Sequence, residues 1–209
     1  MAKKLKVGLI SFHSFLHPGG VKRHILGLHN EFKKKGIKSK IIVPRRSRKE
    51  NYGEDVILLG TSFPLPVAGT QADLCINFNP FAIRKVLRKE KFDILHFHNF
   101  GFPSAVQILE WSKSLNILTL HANLEGSSFL KIFPGFLYIF NKICQWKIDG
   151  LIGVAPLNLE ILKDYKGPKV VIPNGINLNE FNPQVPRLKN FLMEKLISYF
   201  LVESKKEKG

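Results

Sequence analysis

Apolar residues along this chain fall into short continuous runs separated by amphipathic stretches, and that alternation predicts the elements. Strand-like runs recur at Lys6–Phe12, Ser39–Val43, Val56–Leu59, Asp93–Phe97, Asn116–Leu120, Gly150–Val154 and Lys169–Ile172. Most are apolar at consecutive positions, the pattern of strands covered on both faces. Helical patterns lie between several of them. Val21–Lys35 puts Val21, Ile25, Leu28 and Phe32 on one face, gathers Lys33, Lys34 and Lys35 at its end, and stops at Gly36. Pro80–Lys89, Pro103–Leu115 and Pro156–Asp164 also read as helices, each opened by a proline suited to a first turn. Gly60–Asn79, rich in Pro, Gly and Thr, reads as a long loop. Strand–helix alternation predicts right-handed βαβ units, hence an α/β fold with a doubly wound parallel sheet. Ligands of such sheets bind beyond the carboxyl ends of the strands.

Composition changes this picture in one respect. The 209 residues, 44% hydrophobic and 23% charged, suit one substantial packed domain plus a remnant. The charge balance is lopsided: 32 Lys+Arg against 16 Asp+Glu give +16, which favours anionic partners. The charge is spread over helix ends and loops without a nucleic-acid motif or a stacking platform, so no nucleic acid partner is expected and acidic membrane is the preferred surface. Cys75 and Cys144 have no metal-ligand spacing, which fits a reduced, cytoplasmic setting. The basic start followed by Val7–Phe12 imitates a signal peptide, but its apolar run is short and lacks a small-residue cleavage site; a first strand explains it better. Phe129–Trp146 is apolar yet interrupted by Lys131, Pro134, Gly135, Asn141 and Lys142, so it reads as a buried or membrane-touching helix and not a span.

Polar chemistry collects where strands end. After the first strand come His13, then Gly19-Gly20 and His24 at the opening of a helix. A Gly-Gly pair there is either a plain turn or a device that lets backbone N–H groups approach a phosphate or sugar. It is not GxGxxG, and no acidic residue follows the second strand, so a dinucleotide site is disfavoured. His24 is either a satisfied helix histidine or a site residue. His96 and His98, two apart, share a strand face. They read as a metal pair, as structural groups or as substrate-facing imidazoles; no further ligands stand at metal spacing, and no metal is expected. His121 follows another strand and serves either packing or function. Pro80–Glu90 combines an apolar face with Arg84, Lys85, Arg88 and Lys89, which is a solvated surface or an interfacial helix drawn to anionic lipid.

The string from Ile172 to Pro183, with its Pro173-Asn174-Gly175 turn, resembles the hinge of family-four glycosyltransferases, which closes the first of two Rossmann-like domains. The Pro18-Gly19-Gly20-Val21 loop with His24, the Phe92–His98 string and His121 follow in the family's order. The resemblance covers residues 5–183 and is nearest to the phosphatidylinositol mannosyltransferase type. It implies the N-terminal half of a GT-B architecture: residues 1–173 a Rossmann-like acceptor-side domain, 174–195 an interdomain hinge, and 196–209 the remnant of a second domain's first strand. It further implies sugar transfer with retention from a nucleotide-sugar donor, as substrate, to a lipid or glycan acceptor, with no cofactor. His121 would touch the sugar as the catalytic residue. His13, Gly19, Gly20, His24 and His98 would bind substrate, the loop 122–128 would shape the acceptor pocket, and Ser127 would cap the helix that follows. Arg84, Lys85, Arg88 and Lys89 would bind an anionic membrane surface, making the protein peripheral at the inner face. The sequence departs from the family at Ala155, where a Ser is common, and at Glu203-Ser204, in place of Gly-Arg. With most donor contacts missing, the expectation is an inactive half that needs a separately encoded C-terminal domain. The alternative is a non-catalytic basic module on acidic membrane.

Overall fold

The computed structural model describes residues 4–16, 18–47, 49–67, 70–121, 135–176 and 178. The chain divides into two compact units, Met1–Asn174 and Gly175–Gly209, and every regular element described lies in the first. Apart from residues 174–176 and 178, the expected hinge and second-domain remnant lie outside the described residues, as do His17, the loop 122–128 with Ser127, and residues 129–134.

In chain order the elements are β1 Lys6–Ser11, α1 Gly20–Lys34, β2 Lys38–Arg45, β3 Val56–Val67, β4 Thr70–Ile76, α2 Pro80–Glu90 and β5 Ile94–His98. There follow α3 Ser104–Trp111, β6 Leu115–Leu120, α4 Phe136–Lys147, β7 Gly150–Gly153, α5 Leu157–Glu160 and β8 Lys169–Val171. The described strands form one sheet in the order β4-β3-β2-β1-β5-β6-β7-β8. All pairs are parallel except β3–β4. From β1 the chain winds outward through β2 and β3, then returns to the other flank of β1 with β5. That reversal is the topological switch point, where strand connections leave in opposite directions and a crevice opens at the carboxyl ends.

Two cores flank the sheet. Val7, Leu9, Ile41 and Val43 pack under α1 with Ile25, while Ile10, Phe12, Ile42, Leu95, Phe97, Leu118 and Leu120 pack on the opposite side. Successive side chains of β1 and β2 therefore alternate between two buried surfaces, which is why these strands read as unbroken apolar runs. α1 ends as its sequence indicates, with Lys33 and Lys34 in the last turn and Gly36 at φ 70. α2 starts with Pro80 in its first turn and the Asn79 side chain accepting from the Phe81 N–H at 3.0 Å.

One expectation fails. Gly60–Asn79 is not a long loop: β3 continues to Val67 and pairs antiparallel with β4, Thr61 opposite Ile76. Pro64 and Pro66 disguise the strand, because proline normally breaks a ladder. They stand two apart and so withhold their donors from the same edge, and β2 stops pairing with β3 at Arg45↔Thr61. No ladder remains on that edge for them to break. The sheet is accordingly mixed at one margin. Two helices are also shorter than the pattern suggested, α3 stopping at Trp111 and α5 at Glu160.

Gly101 shows how tightly the switch point is closed. A Cβ there would lie 2.2 Å from Cβ and Cγ of buried Phe12, so the β5–α3 loop can cross the end of β1 only as glycine. Gly101→Ala is expected to destabilise the fold by about 2 kcal/mol through overpacking. Gly27→Ala, whose Cβ would meet nothing within 4 Å, should be neutral or stabilising by roughly 0.5–1 kcal/mol. Urea denaturation of both variants checks the pair of outcomes.

Candidate functional site

The alternation that buries β5 and β6 also decides where their polar residues point. Leu95, Phe97, Leu118 and Leu120 belong to the core away from α1. Ile94, His96, His98 and Thr119 consequently turn to the α1 face, where Ile94 packs against the second core. His121 lies one position past β6 and continues the same sequence. α1 supplies His24, next to its buried Ile25. Four imidazoles meet: ring centroids are 4.7 Å apart for His24–His121, 5.3 Å for His24–His98, 5.4 Å for His98–His121 and 4.2 Å for His96–His98.

Their hydrogen bonds are few. His98 Nδ1 and His121 Nε2 are 3.1 Å apart, and His96 Nε2 is 2.7 Å from the Thr119 hydroxyl. His98 is fully buried, and its Nε2 makes no hydrogen bond. Burial, reinforced by repulsion from His24 and His121, holds His96 at a pKa of about 4. Burial and then His24 hold His121 at about 4. Burial alone lowers His24, and burial with all three neighbours pushes His98 well below the usual range. At neutral pH the cluster is uncharged, each ring offering one donor and one acceptor. Such a surface suits hydroxyl groups. It also offers lone pairs: among the described residues His24, His98 and His121 each present one ligand atom within 4.8 Å of the others. Spacing along the chain does not reveal that set, because His24 arrives from a helix far away in sequence.

Asn99 builds the cluster from behind. At φ 63 it occupies the left-handed region that Asn tolerates better than most residues. Its N–H donates to the Thr119 carbonyl at 2.8 Å, and its side-chain oxygen accepts from the His121 N–H at 2.8 Å. The ends of β5 and β6 are thereby clipped together. Sequence reasoning passed over Asn99; an Asn directly after a strand-terminal His was the available signal.

The β1–α1 loop stands on a second polar construction. Asp73 accepts from the Ser14 N–H at 3.2 Å, pairs with Arg46 and lies 3.7 Å from His13 Nδ1. Glu50 accepts from the Arg46 N–H at 2.7 Å, the Tyr52 hydroxyl at 2.9 Å, the Ser14 hydroxyl at 3.3 Å and the Ser47 N–H. Burial raises the Glu50 pKa, but these donors outweigh it and leave the carboxylate below its ordinary range. His13 stays low because burial exceeds the attraction of Asp73. Asp73 sits in the Pro-, Gly- and Thr-rich stretch 60–79, whose composition indicates a loop and gives no sign of a buried carboxylate.

Gly19 and Gly20 open α1 beside this loop and line a surface depression with Pro18, Lys22, Arg23 and Leu26. Neither is demanded by packing, since a Cβ at either would meet nothing within 4 Å. Gly19 is extended at φ −176, a conformation any residue adopts. What the two glycines provide is bare backbone N–H at a helix N-terminus. The basic helix is not part of this assembly. α2 buries Ile83 in the opposite core, leaving Lys85, Arg88 and Lys89 exposed, while Arg84 holds its guanidinium 5.2 Å from the Trp111 ring. Among the described residues no helix is long and apolar enough to cross a membrane.

Comparison with known proteins agrees with this architecture. The model of Glycosyltransferase Family 4 matches residues 18–180. A phosphatidyl-myo-inositol mannosyltransferase of Mycobacterium leprae is 29% identical over 192 residues, covering 90% of this chain and 49% of that protein. Its counterpart in Mycolicibacterium smegmatis is 29% identical over 202 residues, covering 94% and 50%. The crystal structure of a glycosyltransferase from Rickettsia africae superposes with a TM-score of 0.53 at 18% identity, over 96% of this chain and 50% of that one. Anabaena Alr3699/HepE in complex with UDP-glucose gives 0.55 at 12%, over 86% and 47%. The chain spans about half the length of the relatives it matches. Its doubly wound sheet is the N-terminal half of a GT-B architecture, and the chain belongs to Glycosyltransferase Family 4.

Proposed function

We propose that this chain is the acceptor-side half of a retaining glycosyltransferase that moves a sugar, with mannose the specific candidate, from a nucleotide-sugar to a lipid or glycan acceptor. The observation that carries the reading is the convergence of His24, His98 and His121 within 4.8 Å at the carboxyl ends of β5 and β6. His121 hydrogen-bonds the transferred sugar as a neutral imidazole. Gly19 and Gly20 leave the N-terminus of α1 open to the donor diphosphate. His13, His24 and His98 border the acceptor. Rate enhancement comes from holding donor and acceptor in line and from stabilising an oxocarbenium-like transition state with fixed dipoles. A second Rossmann-like half supplies the remaining donor contacts, from a separately encoded domain or a longer chain. The family membership, the mannosyltransferase relatives and a neighbour that binds UDP-glucose support this reading.

The test measures mannosyl transfer from a nucleotide-sugar to phosphatidylinositol, with this chain alone and with the second half supplied in trans. Transfer is expected only in the second arm, and His121→Ala should lower kcat there about 100-fold, the size of one lost preorganised donor. Transfer by the chain alone, or full activity of the variant, defeats the proposal.

Acid should weaken the fold in a defined window. Folded His96 and His121 protonate near pH 4, whereas unfolded imidazoles take their proton near 6.5. Between those values the unfolded chain binds more protons, so stability is full above pH 6.5 and declines as pH falls toward 4. Thermal melts should show a lower Tm at pH 4.5 than at pH 7, with a smaller drop in His96→Gln. A Tm that rises on acidification contradicts neutral imidazoles.

A second reading, a peripheral attachment to anionic membrane, is favoured by one particular surface. Phe78 and Phe81, 72% and 68% exposed, stand at the start of α2 ahead of Lys85, Arg88 and Lys89. Liposome co-sedimentation should depend on anionic lipid and disappear when Arg84, Lys85, Arg88 and Lys89 are all replaced by Glu. Unchanged pelleting of that variant removes α2 as the anchor.

A further inference from the structure

We infer that His98 is a positioning residue: it donates its Nδ1–H to His121 Nε2 and so fixes His121 in the Nδ1–H tautomer, the form that donates to an oxygen lone pair of a bound sugar. The inference rests on the reading of His121 as the group that meets the sugar, and adds which nitrogen makes the contact. A neutral imidazole carries one proton on two nitrogens, and the hydrogen bond made by one nitrogen decides the state of the other. Burial holds both rings below the ordinary imidazole range, so each has a single ring proton at pH 7. His98 Nδ1 and His121 Nε2 are 3.1 Å apart, so one donates and the other accepts. Two arrangements are open.

The far nitrogen of His98 chooses between them. The residue is fully buried and its Nε2 has no hydrogen-bond partner. If His121 is the donor, the His98 proton sits on Nε2, an N–H shut away from any acceptor. If His98 is the donor, Nε2 is a bare lone pair. Folded proteins tolerate the second condition better, because orphaned buried N–H groups are rarer than under-used acceptors. Among the described residues His121 has no such stranded atom, so the cost at His98 decides the direction. Both partners are held in place. His98 is the last residue of β5, and its ring is enclosed by those of His24, His96 and His121. The His121 backbone is clamped by the Asn99 side chain, whose own N–H ties the end of β5 to Thr119. A hydrogen bond between two fixed strand ends sets the tautomer before any ligand arrives. With Nε2 occupied, His121 has Nδ1–H to offer, and hydroxyl oxygens of a sugar supply the lone pair it needs.

The experiment records long-range ¹H–¹⁵N correlation spectra of the 209-residue chain, labelled with ¹⁵N-histidine, at pH 7 and without sugar or nucleotide. Protonated ring nitrogens resonate upfield of bare ones, and His121→Asn assigns the His121 signals. His98 and His121 are both expected to show Nδ1 upfield and Nε2 downfield. His98→Asn, whose amide N–H takes the place of Nδ1–H, should preserve the His121 pattern. His98→Leu, which has no donor, should move both His121 nitrogens toward the intermediate positions of a tautomer mixture. A wild-type His121 protonated on Nε2 overturns the inference. So does an unchanged His121 pattern in folded His98→Leu, or a His98→Asn chain that loses the pattern. If His98→Leu does not fold, the wild-type and His98→Asn spectra decide. No sugar is present, so a contrary spectrum removes the tautomer assignment and leaves the sugar-transfer reading intact; failure of the transfer assay leaves the tautomer standing.

Discussion

β1 has no solvent-facing side. Val7 and Leu9 sink into the core under α1 while Ile10 and, just past the strand, Phe12 sink into the other, so every position from Val7 to Ser11 is buried. A central parallel strand so enclosed leaves polar chemistry almost nowhere to go except its carboxyl end. The chain changes winding direction between β1 and β5, and connections leaving in opposite directions open a crevice beyond the carboxyl ends of those two strands. The glycine-opened N-terminus of α1 and the imidazole cluster depend on that opening at the switch point.

The protein carries few acidic groups, 16 against 32 basic ones, and buries two of them under the loop that follows β1. Glu50 and Asp73 are each satisfied by several donors, which offset their desolvation locally. Removing one would strand Arg46, or the N–H groups around residue 47, at about 1–3 kcal/mol per unsatisfied group. The loop carrying His13 is therefore held by an ionic frame and not by apolar packing alone. Surplus positive charge remains on the outside, including Lys85, Arg88 and Lys89 on α2 across the sheet from the imidazoles. The imidazole cluster and the exposed cations of α2 thus lie on separate faces of one sheet.

The imidazole cluster works under the opposite rule. Its rings are packed with one another and with Thr119, and burial keeps them neutral. Neutral rings can face hydroxyl groups, each ring offering one donor and one acceptor. His98 bears the largest cost, with one nitrogen left unmatched in the interior.

Much of this was legible in the residues alone. The unbroken runs of β1 and β2, the Val21/Ile25/Leu28/Phe32 face of α1 and the stop at Gly36 depend on neighbours a few positions apart, which local sterics decide. The shared face of His96 and His98 follows from the two-residue period of a strand. β4 was hidden because Pro64 and Pro66 are harmless only on an edge whose partner has already ended, a fact about β2. The meeting of His24 with His98 and His121, the clamp by Asn99 and the burial of Asp73 against Arg46 join residues from distant elements. Sequence determines which face of its own element a side chain takes; only the closing of the sheet decides which other faces it meets, because those contacts are set by strand order and not by spacing along the chain.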